Sequence, residues 1–203
     1  MNTRSALPVF ELICLFVVVY IFQMVTAFAD LVEVVFVLQP PILDNPWTIV
    51  TSVFAHAGLS HLFSNAVALL VVGIPVAVYT TRARFYAFFL VAGALAGVSQ
   101  IVLSDLFTVL PLVGFTASPG VLGASGGIFG LLGYLLTSNR ISNSVSGIVN
   151  VPPWFTYLVL LALAVVLTVV TATSNAALIA HFVGLFIGLV AGRLNLLDPS
   201  RAR

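Results

Sequence analysis

Six stretches of this chain are apolar over much of the length a helix needs to cross a bilayer: Leu12–Ala29, Ser60–Tyr79, Phe85–Leu103, a short one at Ser125–Thr137, Trp154–Val170 and Ala176–Leu194. Crossing roughly 30 Å of hydrocarbon takes about 20 helical residues. Turn-forming clusters punctuate the runs: Gln39-Pro40-Pro41, Asp44-Asn45-Pro46, Ser118-Pro119-Gly120, Ser138-Asn139-Arg140 and Val151-Pro152-Pro153. Only 6% of the 203 residues are charged and 61% are apolar. A water-soluble domain carries roughly a quarter charged residues, because its surface must be wetted. A soluble enzyme and a disordered chain are thereby excluded, and a net charge of +1 argues against a nucleic-acid binder. The expectation is an all-α membrane protein, one domain over residues 1–203, with six spans and short tails at 1–7 and 194–203.

Charge placement tests the span count independently. The seven basic residues are Arg4, Arg82, Arg84, Arg140, Arg193, Arg201 and Arg203. With six spans they all fall on one side, the positive-inside pattern, which makes both termini cytoplasmic. Asp30, Glu33, Asp44 and Asp105 fall in the outer connections. One more span, or one fewer, destroys this segregation. Arg4, the first apolar run and Ala27-Phe28-Ala29 together resemble a secretory signal with its cleavage site. That run is longer than a signal's apolar core and opens with Glu11, so a retained first span is expected. Cys14 is the single cysteine, which rules out a disulfide framework or a cysteine-based metal site and leaves a packing role. Leu31–Leu38 reads as a segment lying in the membrane interface rather than crossing it.

Strongly polar side chains inside spans are costly, and so they point to function. Four stand out: His61 and Asn65 in span 2, Ser125 opening span 4, and His181 in span 6. Spans 2, 4 and 6 all run inward, and each carries its polar group in its first turns. The four therefore share one outer level. Span 4 is also short: its 13 residues make about 20 Å of helix against about 30 Å of hydrocarbon. Ser125 then lies on the order of 10 Å below the outer surface. Non-helical backbone at that depth must be shielded by protein or line a wet cavity. The loop Pro111–Ala124 is thus expected to dip into the membrane domain, leaving a hydrated pocket with a serine at its floor.

The chemistry suited to this set is acyl transfer. A serine hydroxyl is a poor nucleophile until a base takes its proton, and a neutral histidine is the usual base; Ser125 and His181 supply such a pair. His61 and Asn65, four residues apart, share a helix face and offer N–H donors to the oxyanion formed when a carbonyl is attacked. The backbone N–H of Ser125, at a helix N-terminus, is another donor. Glu11 and Asp198 belong to the other side, so a serine–histidine dyad is expected rather than a triad. Gly123, Gly126, Gly127, Gly130 and Gly133 crowd span 4, and Gly184, Gly188 and Gly192 recur every four residues on span 6. Small residues at this spacing let two membrane helices approach closely, which would carry His181 to Ser125. Taken singly, Ser125 also reads as a helix N-cap, His181 as a packed core residue, and His61 and Asn65 as pins for the loop backbone. His56 reads as structural.

These residues also carry a family resemblance. Gly123-Ala124-Ser125-Gly126 resembles the GxSG motif of rhomboid intramembrane serine proteases. His56-Ala57-Gly58-Leu59-Ser60-His61-Leu62-Phe63-Ser64-Asn65 is similar to that family's span 2 signature, with His61 and Asn65 at its HxxxN positions. Ala180-His181-Phe182-Val183-Gly184, with Gly188, resembles its histidine-bearing last helix. The motifs run in order between Trp47 and Gly192.

The resemblance implies a six-transmembrane-helix rhomboid-like bundle with a short central helix 4. It implies Ser125 as nucleophile, His181 as base, and His61, Asn65 and the Ser125 backbone N–H as oxyanion donors, with Gly123 shaping the loop. It further implies cleavage of single-span or polytopic membrane-protein substrates near their outer ends, without metal or cofactor. Two positions depart from the family. Trp47 is followed by Thr48 where many rhomboids carry Trp-Arg, and Phe129 stands where many have a tyrosine. The Phe129 ring can still stack on His181, without the hydroxyl's hydrogen bond. Substrate is expected to dock between spans 2 and 5, with Thr171–Asn175 as a lid. The expected location is the cell membrane, of a prokaryote. A catalytically silent rhomboid-like protein that binds membrane clients is the first rival, although such relatives typically lack the serine or the histidine. A transporter or channel is the second; a transporter would carry ionisable groups at the midplane and show repeats.

Overall fold

The computed structural model describes residues 5–108, 116–138, 158, 162 and 178–199. Among these, regular structure is helical: α1 (Leu7–Ala27), α2 (Val32–Phe36), α3 (Thr48–Thr51), α4 (Leu59–Ala77), α5 (Arg82–Phe107), α6 (Ser125–Thr137) and α7 (Leu178–Arg193). Three of them, α1, α4 and α5, are long and apolar enough to cross a membrane. Helix α5 extends past its apolar stretch at both ends, whereas α4 and α7 stop short of the C-terminal ends of theirs. Pro8 sits at the start of α1, where its missing N–H is harmless, and the Thr81 hydroxyl caps α5 by accepting from the Arg84 N–H at 3.4 Å. The short helix runs over Ser125–Thr137, as expected. The expected fifth span, Trp154–Val170, and the expected lid, Thr171–Asn175, lie outside the described residues apart from Leu158 and Ala162. So do Arg4, Arg140, Arg201 and Arg203.

Helix α6 is the hub. Every residue from Ser125 to Leu135 is buried. Its glycines explain how the neighbours come so near. A Cβ on Gly127 would lie 2.8 Å from the Phe89 carbonyl oxygen of α5, and one on Gly130 would lie 2.8 Å from the Ala92 Cβ. Against α7 the fit is closer still. A Cβ on Gly184 would collide with the Gly126 carbonyl oxygen, one on Gly188 with that of Gly130, and one on Gly192 with the Thr137 hydroxyl. The register rises on both helices together, so α6 and α7 run parallel. The Thr137 hydroxyl also donates to the Leu189 carbonyl at 2.8 Å, closing the far end of the seam. Phe16, Leu69, Phe85, Phe89, Leu131 and Leu132 fill the core around this hub.

Three contacts put the start of α1, the α4–α5 turn and the segment after α7 at one end of the bundle. Arg82 pairs with Glu11 at 3.6 Å, the Tyr86 hydroxyl donates to the Glu11 carboxylate, and the Thr80 hydroxyl donates to the Leu197 carbonyl at 2.7 Å. At the other end, the connection from α1 to α4 folds back into the protein. The segment expected to lie in the interface forms α2, whose Phe36 is buried. The Trp47 indole N–H donates to the Val34 carbonyl at 2.9 Å and the Thr51 hydroxyl to that of Val35 at 2.5 Å. This loop is therefore anchored by Trp47 without an arginine after it. Leu38 and Val121 exchange two backbone hydrogen bonds of 3.0 and 2.8 Å, joining the first connection to the loop before α6.

Candidate active site

Four elements converge on Ser125. It is the first residue of α6, with Ala124 in the cap position. Ser125 therefore does not serve as the N-cap, and its hydroxyl is turned to α7. Ser125 Oγ lies 2.9 Å from His181 Nε2. His181 sits in the first turns of α7, and both side chains are buried, at 9% and 2% exposure. With the imidazole proton on Nδ1, Nε2 accepts the serine hydroxyl, the arrangement a general base needs. Phe129, one turn along α6, stacks on the His181 ring at 4.4 Å between centroids and 15° between planes. That contact sets the ring's tilt, and Phe129 carries no hydroxyl to add a hydrogen bond to it.

The turn that presents the serine is strained in a way only glycine tolerates. Gly123 has φ +138, and its N–H donates to the Ser52 carbonyl at 2.9 Å. A Cβ at Gly123 would lie 2.8 Å from His61 Cε1, 3.1 Å from His61 Nε2 and 3.9 Å from Ser125 Oγ. The Nε2 edge of His61 thus faces the Gly123–Ser125 turn. The opposite ring nitrogen identifies the tautomer: the Ala57 N–H donates to His61 Nδ1 at 3.3 Å, so in the neutral ring the proton sits on Nε2. Asn65, fully buried on the same face of α4, donates one amide hydrogen to the His61 carbonyl at 3.0 Å. Its second amide hydrogen is left for another acceptor. The Ser125 N–H, in the first turn of α6, has no intrahelical partner. Three donors and one hydroxyl–imidazole pair therefore share one end of the bundle.

Two further buried amides stand outside the four polar residues that the sequence singles out. Gln23 of α1 is 6% exposed and binds the His56 backbone twice, through an N–H to Oε1 bond of 2.9 Å and an Nε2 to carbonyl bond of 3.2 Å. Gln100 of α5 is 1% exposed, and its Oε1 accepts the Ala180 N–H at 3.0 Å, one residue before His181. Both stand in apolar runs, so the rule that singled out His61 and Asn65 applied to them equally. His56 lies outside the span of α4, with its ring between Phe16 and His61 at 5.0 and 5.3 Å. Burial, and next the neighbouring His61, push its imidazole from its ordinary 6.5 down to about 3, against a smaller opposing pull from the Phe54 backbone. No group of His, Cys, Asp and Glu suited to a metal ion occurs among the described residues.

A model of the Rhomboid domain matches residues 44–197, a range that contains every residue of this site. Rhomboid-related protein 3 of Homo sapiens is 30% identical over 109 residues, which is 54% of this chain and 23% of that protein's length. The match therefore spans about a quarter of the length of that relative.

Proposed function

The chain belongs to the rhomboid family, and from that premise we propose that it is an intramembrane serine endopeptidase using Ser125 and His181. It is a multi-pass membrane protein. In the proposed reaction a substrate's transmembrane segment unwinds locally and presents a peptide carbonyl to Ser125. His181 Nε2 takes the hydroxyl proton as Oγ attacks the carbonyl carbon. The negative charge that develops on the carbonyl oxygen is met by His61 Nε2–H, the free Asn65 amide hydrogen and the Ser125 backbone N–H. His181 then gives its proton to the departing amine, leaving an acyl-enzyme. Water, deprotonated by His181, attacks the ester carbonyl and restores the hydroxyl. This chemistry calls on no metal or cofactor.

The observation that carries this reading is the 2.9 Å contact between Ser125 Oγ and His181 Nε2, made by residues 56 positions apart. Either residue alone has an ordinary structural explanation, and their meeting beside the Nε2 edge of His61 at a helix N-terminus does not. The proposed substrates are single-span or polytopic membrane proteins cut near their outer ends. The proposed topology has six spans in one domain, with both termini cytoplasmic in the cell membrane of a prokaryote. The contacts of Glu11 with Arg82 and of Thr80 with Leu197 support both tails lying on one side.

The test is purification and reconstitution with a panel of single-span substrates, with mass mapping of any cut and fluorophosphonate labelling in parallel. Wild type should cleave and label, whereas Ser125→Ala and His181→Ala should do neither. A wild-type protein that folds and binds clients but neither labels nor cleaves would assign it instead as a non-catalytic client-binding rhomboid.

A further inference from the structure

Gln23 takes no part in the reaction above, yet it is a buried polar residue of α1 with both ends of its amide engaged. Its side-chain amide forms two hydrogen bonds with the backbone of one residue: the His56 N–H donates to Oε1 at 2.9 Å, and Nε2 donates to the His56 carbonyl at 3.2 Å. Using both polar atoms of the amide against both backbone groups of one residue fixes that residue's position and its plane, as one rung of a β-ladder would. The partners are 33 residues apart and belong to different elements.

The neighbouring residue connects this clamp to the site. The N–H of Ala57 donates to His61 Nδ1 at 3.3 Å. That bond keeps the imidazole proton on Nε2, the nitrogen facing Gly123 and Ser125. A second route runs in parallel through rings. Phe16, also on α1 and fully buried, lies 5.0 Å from the His56 ring, which meets the His61 ring at 5.3 Å and 72°. The His56 ring is packed between Phe16 and His61, so in this route it acts as a wedge.

We propose that Gln23 is a positioning residue for the oxyanion donor. By clamping the His56 backbone it holds the Ala57 N–H on His61 Nδ1, and so keeps the His61 Nε2–H aimed at the Gly123–Ser125 turn. The inference rests on the reading of His61 as an oxyanion donor. It assigns α1, which contributes no reacting group, a part in the chemistry. A merely structural Gln23 would satisfy the same two backbone groups without affecting the imidazole.

The histidines are three in number, His56, His61 and His181, which makes their ring signals separable by NMR of protein carrying ¹⁵N/¹³C-histidine. The experiment compares wild type with Gln23→Leu, which removes both bonds at similar volume, and with Gln23→Glu, which keeps the acceptor and loses the donor. Ring shifts, kcat, KM and melting temperature are read on each. Wild type should show His61 as the Nε2–H tautomer. Gln23→Leu should shift it toward a tautomer mixture and lower kcat about tenfold with KM within about twofold, since an oxyanion donor acts on the transition state. Gln23→Glu should fall between. Unchanged His61 shifts and kcat in Gln23→Leu, or a fall in melting temperature alone, would overturn the proposal. If Gln23→Leu does not fold, the same readings on Gln23→Glu decide. The ring shifts are read whether or not the protein cleaves anything, so failure of the clamp is distinguishable from failure of the protease reading.

Discussion

Replacing Gly184 by alanine tests how the α6–α7 seam controls the site. An ideal Cβ there would lie 3.1 Å from the Gly126 carbonyl carbon and 3.3 Å from its Cα, with the carbonyl oxygen nearer still. These are backbone atoms at the start of α6, so none can swing aside as a side chain would. Restoring ordinary separations of about 3.5 Å requires α7 to withdraw by about 1 Å. His181 is three residues earlier on the same face of α7, and it withdraws with the helix. Starting from 2.9 Å, the Ser125 Oγ to His181 Nε2 distance reaches about 3.9 Å, outside hydrogen-bond range. A misplacement of this size costs about 100-fold in rate, equivalent to about 2.7 kcal/mol of barrier. Overpacking alone lowers stability by about 1–3 kcal/mol. The assay is the rate of fluorophosphonate labelling and of substrate cleavage in reconstituted protein, alongside thermal unfolding. Gly58→Ala is the control: no atom lies within 4 Å of a Cβ there, and its φ of 172 is ordinary extended backbone. Wild-type labelling by Gly184→Ala at unchanged melting temperature would refute the claim that this seam sets the serine–histidine distance.

Three further outcomes are expected. His61→Ala should lower kcat by about 10²–10³-fold and Asn65→Ala by less, both with KM little changed, as steady-state kinetics would read. Phe129→Ala removes a fully buried ring together with the stack on His181; it should lower stability by about 3–5 kcal/mol in denaturation and slow labelling of Ser125. The third concerns acid. His56 stays neutral in the folded chain down to about pH 3, whereas the unfolded chain protonates it below 6.5, so its contribution is intact above 6.5 and is lost as pH falls toward 3. By pH 4.5 that amounts to about 2–3 kcal/mol, and His56→Phe should flatten the acid limb of the melting-temperature profile.

Much of this architecture is legible in the residues because membrane burial leaves few choices. Apolar runs of sufficient length announce α1, α4 and α5, and the end of apolar sequence at Ser125 and Thr137 marks α6 to the residue. Ser125, His181, His61 and Asn65 are legible because strongly polar groups in apolar helices are costly and rare, and the structure brings Ser125, His181 and His61 together around Gly123. Gln23 and Gln100 obey the same rule, but they serve backbone groups 33 and 80 residues away. A backbone N–H is present at every position and leaves no mark in the sequence, so no pattern names which one a buried amide will find. The same holds for the Ala57 N–H that decides the His61 tautomer, since alanine carries no sign of that duty. Helices α2 and α3 are short and are held by side-chain to backbone bonds such as Trp47 to Val34 and Thr51 to Val35, which local periodicity does not encode.

Helix α6, thirteen residues with eleven of them buried, has a bearing on how the molecule holds together. A segment this short, opening with Ser125-Gly126-Gly127, would leave the N–H groups of its first turn bare in lipid, where each lost partner costs several kcal/mol. It gains little by partitioning into the bilayer alone. Its glycine faces acquire worth only when the Phe89 carbonyl of α5 and the backbone of α7 are already there to meet them. The centre of the molecule is therefore the piece that is worth least alone and most in the company of α5 and α7.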